Sequence, residues 1–179
     1  MIPDCWSTER LVLSTFSIGE IESMRYVFES NQHLKDLDPT FGEYADDTYR
    51  SLIERDGNAS EKLTSATFFL RKISNAQGHL VGYIQIELDA PKEGGVWIPM
   101  MVFHPDYQGC GFGKEVFDSL EAVILALSAY SEIGLNVYAK NLAAFEFWFR
   151  RGFSEIVWWS NDTHYEQEYQ CLVLRKKLS

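Results

Sequence analysis

Apolar positions along this chain change period several times, and each change marks an element. Ile21, Met24, Val27 and Phe28 fall at helical spacing and predict a helix over Ile18 to Ser30. Arg10 to Thr15, just before it, alternates weakly and reads as a first strand. Asp36 to Asp47 is polar and acidic, and a second helix is expected from about Asp46 to Arg55, stopped by Asp56-Gly57-Asn58. The period then shortens to two. Thr67 to Ile73 and Leu80 to Leu88 predict a hairpin around the turn residues Asn75 to Gly78. A third strand, Val96 to Phe103, carries Pro99, which cannot donate to a ladder and so implies an edge or a bulge.

Helical spacing returns after a Gly-rich turn, with Val116, Phe117, Leu120, Val123, Ile124 and Leu127 on one stripe. Ile133 to Tyr138 reads as a strand. Asn141 to Arg151 reads as a helix, with Asn141 suited to its N-cap and Gly152 to its end. Glu155 to Trp159 and Tyr169 to Arg175 are expected as two last strands around a polar connection, Ser160 to Glu166. The order predicts a mixed α/β domain with one central sheet, spanning residues 1–179 as a single unit.

Composition narrows the function classes. The 179 residues are 46% hydrophobic and 15% aromatic, enough for a sizeable core. Net charge is -10, a sign that repels phosphate backbones and anionic lipid and attracts amines. Neither a nucleic acid nor a membrane is therefore expected as a partner. Cys5, Cys110 and Cys171 are an odd set, and Met1 to Arg10 has neither a basic nor an apolar leader segment. The cytoplasm is the expected compartment. The four His and three Cys show no ligand spacing, so no metal is expected.

The most informative run is Phe103-His104-Pro105-Asp106-Tyr107-Gln108-Gly109-Cys110-Gly111-Phe112-Gly113-Lys114, which joins a strand to a helix. Glycines permit positive φ and close approach. Successive N–H groups there can converge on an anion, and the helix behind adds orphan donors and a positive dipole end. A phosphate or pyrophosphate fits such a turn. The Walker loop does not match, because Glu115 follows Lys114, and the dinucleotide fingerprint does not match G-x-G-x-G.

These residues resemble the GNAT superfamily of acetyl-CoA-dependent N-acetyltransferases. Gln108 to Gly113 is similar to that family's Q/R-x-x-G-x-G/A loop, and Phe103-His104-Pro105 to the segment closing its splayed strand. Asn141, Ala144 and Gly152-Phe153 reproduce a second pattern, N-x-x-A ending in G-F. Together the motifs span Val96 to Phe153, roughly a third of the chain. The resemblance implies a central, mostly antiparallel mixed sheet with a splayed strand, flanked by about four helices. It implies acetyl-CoA as cosubstrate, with the N–H groups of Gln108, Gly109, Cys110, Gly111, Phe112, Gly113 and Lys114 on the pyrophosphate. Backbone groups of Met101, Val102 and Phe103 would pair with the pantetheine arm, and Asn141 would bond from the other side.

The implied reaction is acetyl transfer to a primary amine, of a small molecule or a peptide N-terminus, by direct attack in a ternary complex. Glu87, near the end of the strand beside the splayed one, is the candidate base; His79 and His104 are weaker ones. Where the family often places a tyrosine to protonate the thiolate, this chain has Trp148, whose indole is no usable acid. Water, Tyr138 or no dedicated acid remain open. Asp36, Asp38, Glu43, Asp46, Asp47, Asp162, Glu166 and Glu168, with Tyr44, Trp158, Trp159 and Tyr165, fall in segments that line the family's acceptor side, which suits a cationic amine. Thr8 to Leu13 faintly resembles the opening of the branch that acetylates ribosomal protein N-termini. The alternatives are a non-catalytic CoA-binding module or sensor, and an enzyme of another nucleotide. The oligomeric state stays open between monomer and homodimer.

Overall fold

Apolar residues face both ways along the middle strands, and the fold answers with a core on each face of one sheet. The structure, a computed structural model, describes residues 1–58 and 66–178. Among these, eight strands are β1 (Cys5–Ser7), β2 (Leu11–Ser14), β3 (Thr67–Asn75), β4 (Leu80–Leu88), β5 (Gly95–Phe103), β6 (Glu132–Tyr138), β7 (Glu155–His164) and β8 (Gln167–Lys177). Four α-helices are α1 (Ile21–Glu29), α2 (Asp46–Glu54), α3 (Phe112–Leu127) and α4 (Leu142–Arg150). The sheet runs β1-β2-β3-β4-β5-β6-β8-β7. Every neighbouring pair is antiparallel except β5 and β6.

Side chains alternate across a strand, so β4 feeds both cores. Ile84 and Ile86 join Val116, Phe117, Leu120 and Ile124 of α3 and Trp148 of α4 in one cluster. Tyr83 instead joins Met24, Val27 and Phe28 of α1 and Tyr49, Leu52 and Ile53 of α2 in the other. The helical stripe expected after the Gly-rich turn is the buried face of α3, and β4 has the bounds that its alternation predicts.

Three expectations shift. The first helix begins at Ile21, because Ile18–Glu20 forms a 3-10 turn in which Glu20 Oε2 accepts from the Ser17 N–H at 2.8 Å. Residues Cys5–Ser7 add a short edge strand that no alternation announced. The polar connection Ser160 to Glu166 is strand almost throughout: β7 runs to His164, β8 starts at Gln167, and Tyr165 and Glu166 turn with φ of 51° and 61°. Two successive positive φ values are the mark of a type I′ turn, normally signalled by Asn or Gly. Tyr and Glu carry no such signal, and an exposed strand lacks an apolar alternation.

Candidate active site

Pro99 sits where the sheet opens. Between Gln85 and Glu87 of β4 the facing strand runs from Met100 to Trp97, three steps against two, so β5 bulges at Ile98-Pro99. On its other side β5 pairs with β6 only over Gly95–Trp97 with Glu132–Gly134. Beyond that point the two strands part. The cleft between them is lined by Ile98 to Met101 of β5 and Leu135 to Val137 of β6. Asn141, Ala144 and Trp148 of the α4 segment and Asp38, Thr40 and Phe41 of the α1–α2 connection complete its lining. Met101 lies in the wall, while Val102 and Phe103 are buried further along β5.

The Gly-rich turn follows β5 directly, and its base is fastened from the side. The Phe103 carbonyl accepts from Asn31 Nδ2 at 3.0 Å and from Gln108 Nε2 at 2.9 Å. Gln108 Nε2 also donates to Asn31 Oδ1 at 2.9 Å. Two donors occupy both lone pairs of that carbonyl, which leaves none for a ligand. Asn31 is only 1% exposed, so its amide is committed to this junction between α1, β5 and the loop. It stands 72 residues from Phe103 in the chain, and nothing in the sequence pointed to it.

Above this anchor Gly109 and Gly111 adopt φ of 75° and 84°, and Gly111 caps α3. Among the described residues, the backbone N–H groups of Gly109, Cys110, Gly111, Phe112, Gly113 and Lys114 donate to no protein acceptor, whereas that of Glu115 donates to the Gly111 carbonyl at 3.1 Å. Six consecutive open donors at a helix N-terminus make an anion-binding concavity. The Lys114 ammonium is paired with Asp118. Cys110 is exposed and free.

The opposite mouth of the cleft is acidic. Asn141 Oδ1 accepts from the Ala144 N–H at 3.2 Å as the cap of α4, and its Nδ2 donates to Asp38 Oδ2 at 3.3 Å. Asp38 Oδ1 accepts from the Thr40 N–H at 3.0 Å. The Tyr138 hydroxyl donates to Asp162 Oδ2 at 3.3 Å, and Ser160 to Asp162 Oδ1 at 2.7 Å. Among the described residues neither Asp38 nor Asp162 has a cationic partner. Burial, followed by the Cys171 thiol and the Asp162 and Asp38 carboxylates, pushes the Tyr138 hydroxyl well up. Burial and then Asp38 raise Tyr44 to about 12. The β7–β8 turn leans over this mouth: the Tyr165 hydroxyl lies against Gly42, where a Cβ would come within 1.7 Å of it. The Tyr169 hydroxyl donates to the Lys35 carbonyl at 3.3 Å.

The cleft thus brings together Met101, Asn141 and Trp148 with the loop adjoining, and leaves other candidates outside its lining. Glu87 is 8% exposed on β4, one strand away, and pairs in register with Trp97. Tyr138 ends β6 beside the cleft and packs on His164 and Tyr169. Trp148 is a core aromatic, edge-on to Phe117 and Phe153. His104 stacks on Tyr26 at 5.0 Å and accepts from the Asp106 N–H at 3.3 Å.

Residues 28–153 match the family described as acetyltransferase (GNAT). No protein of curated function matches the sequence. The acetyltransferase (GNAT family) from Bacillus anthracis superposes with a TM-score of 0.73 at 16% identity, over 97% of this chain and 98% of that one. The spermidine N-acetyltransferase from Vibrio cholerae, solved with CoA and spermine, gives 0.68 at 13% identity, over 93% and 95%. The ribosomal-protein-S18-alanine N-acetyltransferase from Escherichia coli gives 0.60 at 13% identity, over 94% of each chain. At these identities the likeness is one of fold.

Proposed function

The chain belongs to the GNAT acetyltransferase family, and we propose that it moves an acetyl group from acetyl-CoA to a primary amine by direct attack in a ternary complex. The observation that carries the proposal is the row of six open N–H groups from Gly109 to Lys114, set beside the cleft where β5 and β6 part. The row suits the CoA pyrophosphate. The unpaired edge of β5 near Met101 suits the pantetheine amides and puts backbone N–H groups where the thioester oxygen gains charge. Asn141, with one amide hydrogen on Asp38, has a second to offer the arm.

The acceptor amine approaches from the Asp38 side, as a cationic small molecule or a peptide N-terminus. Asp38 and Asp162, two carboxylates without a cation among the described residues, favour such an amine, and a spermidine acetyltransferase shares the fold. An ammonium must lose a proton before it attacks. Glu87 is assigned as the base through a bridging water, because it lies one strand from the cleft. Tyr138 is assigned as a hydrogen-bond donor toward the departing sulfur, its one hydroxyl hydrogen turning there from Asp162. Its raised value keeps the proton on oxygen, since a free thiol titrates near ~8.5. The sulfur then leaves as thiolate and is protonated by water.

The first test is calorimetric titration with acetyl-CoA, with ATP and NAD as controls, followed by an amine screen read by release of the CoA thiol. Selective acetyl-CoA binding and preferential turnover of polyamines or basic peptides are expected. Preference for neutral or acidic amines removes the cationic assignment. Glu87→Gln is expected to lower kcat by roughly a hundredfold or more with the Kd for acetyl-CoA unchanged; unchanged turnover removes Glu87. Trp148, packed where the family often has an acid, favours one rival, a CoA-binding sensor. That reading requires selective CoA binding with no transfer to any amine.

A further inference from the structure

We infer that Arg10, in the turn between β1 and β2, is a positioning residue that holds the phosphate loop in its anion-binding conformation from 100 residues away. The inference rests on the reading of Gln108 to Lys114 as the pyrophosphate cradle.

One guanidinium touches the loop, the helix start and the first helical turn. Arg10 Nη1 donates to the Cys110 carbonyl at 3.0 Å. Its Nε donates to Glu115 Oε2 at 2.7 Å, and its backbone N–H to Glu115 Oε1 at 2.8 Å. The Thr8 hydroxyl donates to the same Oε1. The guanidinium also lies 4.7 Å from the centroid of the Phe112 ring. The β1–β2 turn is thereby tied to α3 by charge-assisted bonds, about twice as strong as neutral ones.

The bond to Cys110 has a geometric consequence. The Cys110 carbonyl and the Gly111 N–H belong to one planar trans peptide and point in opposite directions. Holding the carbonyl toward Arg10 therefore aims the Gly111 N–H away from Arg10. A loop with glycines at 109 and 111 otherwise rotates its peptides easily, and each rotation removes a donor from the concavity. Fixing the peptide before the ligand arrives lowers the ordering cost of binding.

Charge adds a second reason. Glu115 stands in the first turn of α3, where it suits the helix dipole but repels a bound phosphate. Arg10 compensates that charge. Although burial works the other way, the bonds from Thr8 and Arg10 hold the Glu115 carboxyl below its usual range, so the strut persists at neutral pH. A lysine at position 10 cannot replace it, because one ammonium lacks the planar fork that reaches Glu115 and Cys110 together.

The test compares CoA with pantetheine, which lacks the phosphates and the adenosine, on wild type, Arg10→Ala and Arg10→Lys. For Arg10→Ala the Kd for CoA is expected to rise about tenfold, the loss of one or two charged hydrogen bonds acting through the loop. Pantetheine affinity is expected to stay within about twofold, and Arg10→Lys to recover little of the loss. Melting temperatures identify any variant that fails to fold, and Thr8→Val, which loosens the same strut without removing the cation, then takes its place with a smaller rise expected. Unchanged CoA affinity in Arg10→Ala overturns the inference. So does an equal loss for both ligands, or full recovery with lysine, which would make Arg10 a bare charge. A wild type that binds CoA no better than pantetheine instead overturns the phosphate-loop reading, whatever the variants do.

Discussion

Gly111→Val is expected to weaken acetyl-CoA binding about a hundredfold, or roughly 2.7 kcal/mol. Gly111 has a φ of 84°, a region in which a β-branched residue is a true outlier. Such strain costs about 1–3 kcal/mol if the backbone keeps its conformation. An exposed loop has an easier escape, which is to rotate the peptides on either side of residue 111. Rotation turns the Gly111 and Phe112 N–H groups out of the row that faces the anion. Crowding at the Cβ is not the cause: among the described residues, a Cβ at 111 would meet Arg10 Nη2 at the ordinary contact distance of 3.5 Å. Gly57→Val is the control. Gly57 has a φ of 77° in the turn after α2, with no atom of the described residues within 4 Å of its missing Cβ. It imposes the same backbone strain far from the loop, so the melting temperature should fall while acetyl-CoA affinity holds. Equal affinity in Gly111→Val and wild type would sink the phosphate-loop assignment.

The loop was legible because its chemistry is contiguous. Residues Gln108 to Gly113 carry the glycines, the helix start and the family likeness together, and local geometry follows from local sequence. The stripe of α3 and the alternation of β4 were legible for a similar reason, since burial imposes their period. The cleft was only half legible. Pro99 announced an edge or a bulge, but where β5 and β6 stop pairing depends on two strands separated by the whole of α3. β5 ends at Phe103 and β6 begins at Glu132, and no residue of β6 records the point at which its partner leaves it. The fasteners were not legible at all. Asn31 reaches Phe103 across 72 residues, and Arg10 reaches Glu115 across 105. A polar side chain that bonds a distant backbone group carries no periodic signature. The same is true of the acidic mouth, where Asp38 and Asp162 were visible as charges but not as carboxylates bonded to Asn141 and Tyr138.

Ala144→Phe is expected to lower kcat/KM for acetyl-CoA at least about a hundredfold while leaving the nucleotide half of the ligand bound. Ala144 lines the cleft from the first turn of α4, facing a space bounded by Met100, Met101 and Phe41. It is half-buried, so a larger side chain has room to form without splitting a packed core, and the fold should tolerate it. A phenyl ring there occupies the path assigned to the pantetheine arm. The Gly109 to Lys114 donors lie outside the cleft lining and remain as they are. 3′-Phosphoadenosine 5′-diphosphate, the part of CoA without the arm, should therefore bind within about twofold of wild type, although CoA itself binds poorly. Gly111→Val should show the reverse, losing the nucleotide while S-acetylpantetheine still serves as a weak donor. The opposed losses matter more than either loss alone. If both variants lose both halves, loop and cleft are one cooperative structure rather than two subsites. If Ala144→Phe still transfers acetyl at the wild-type rate, the arm does not pass between β5 and β6, and the splayed strands need another purpose.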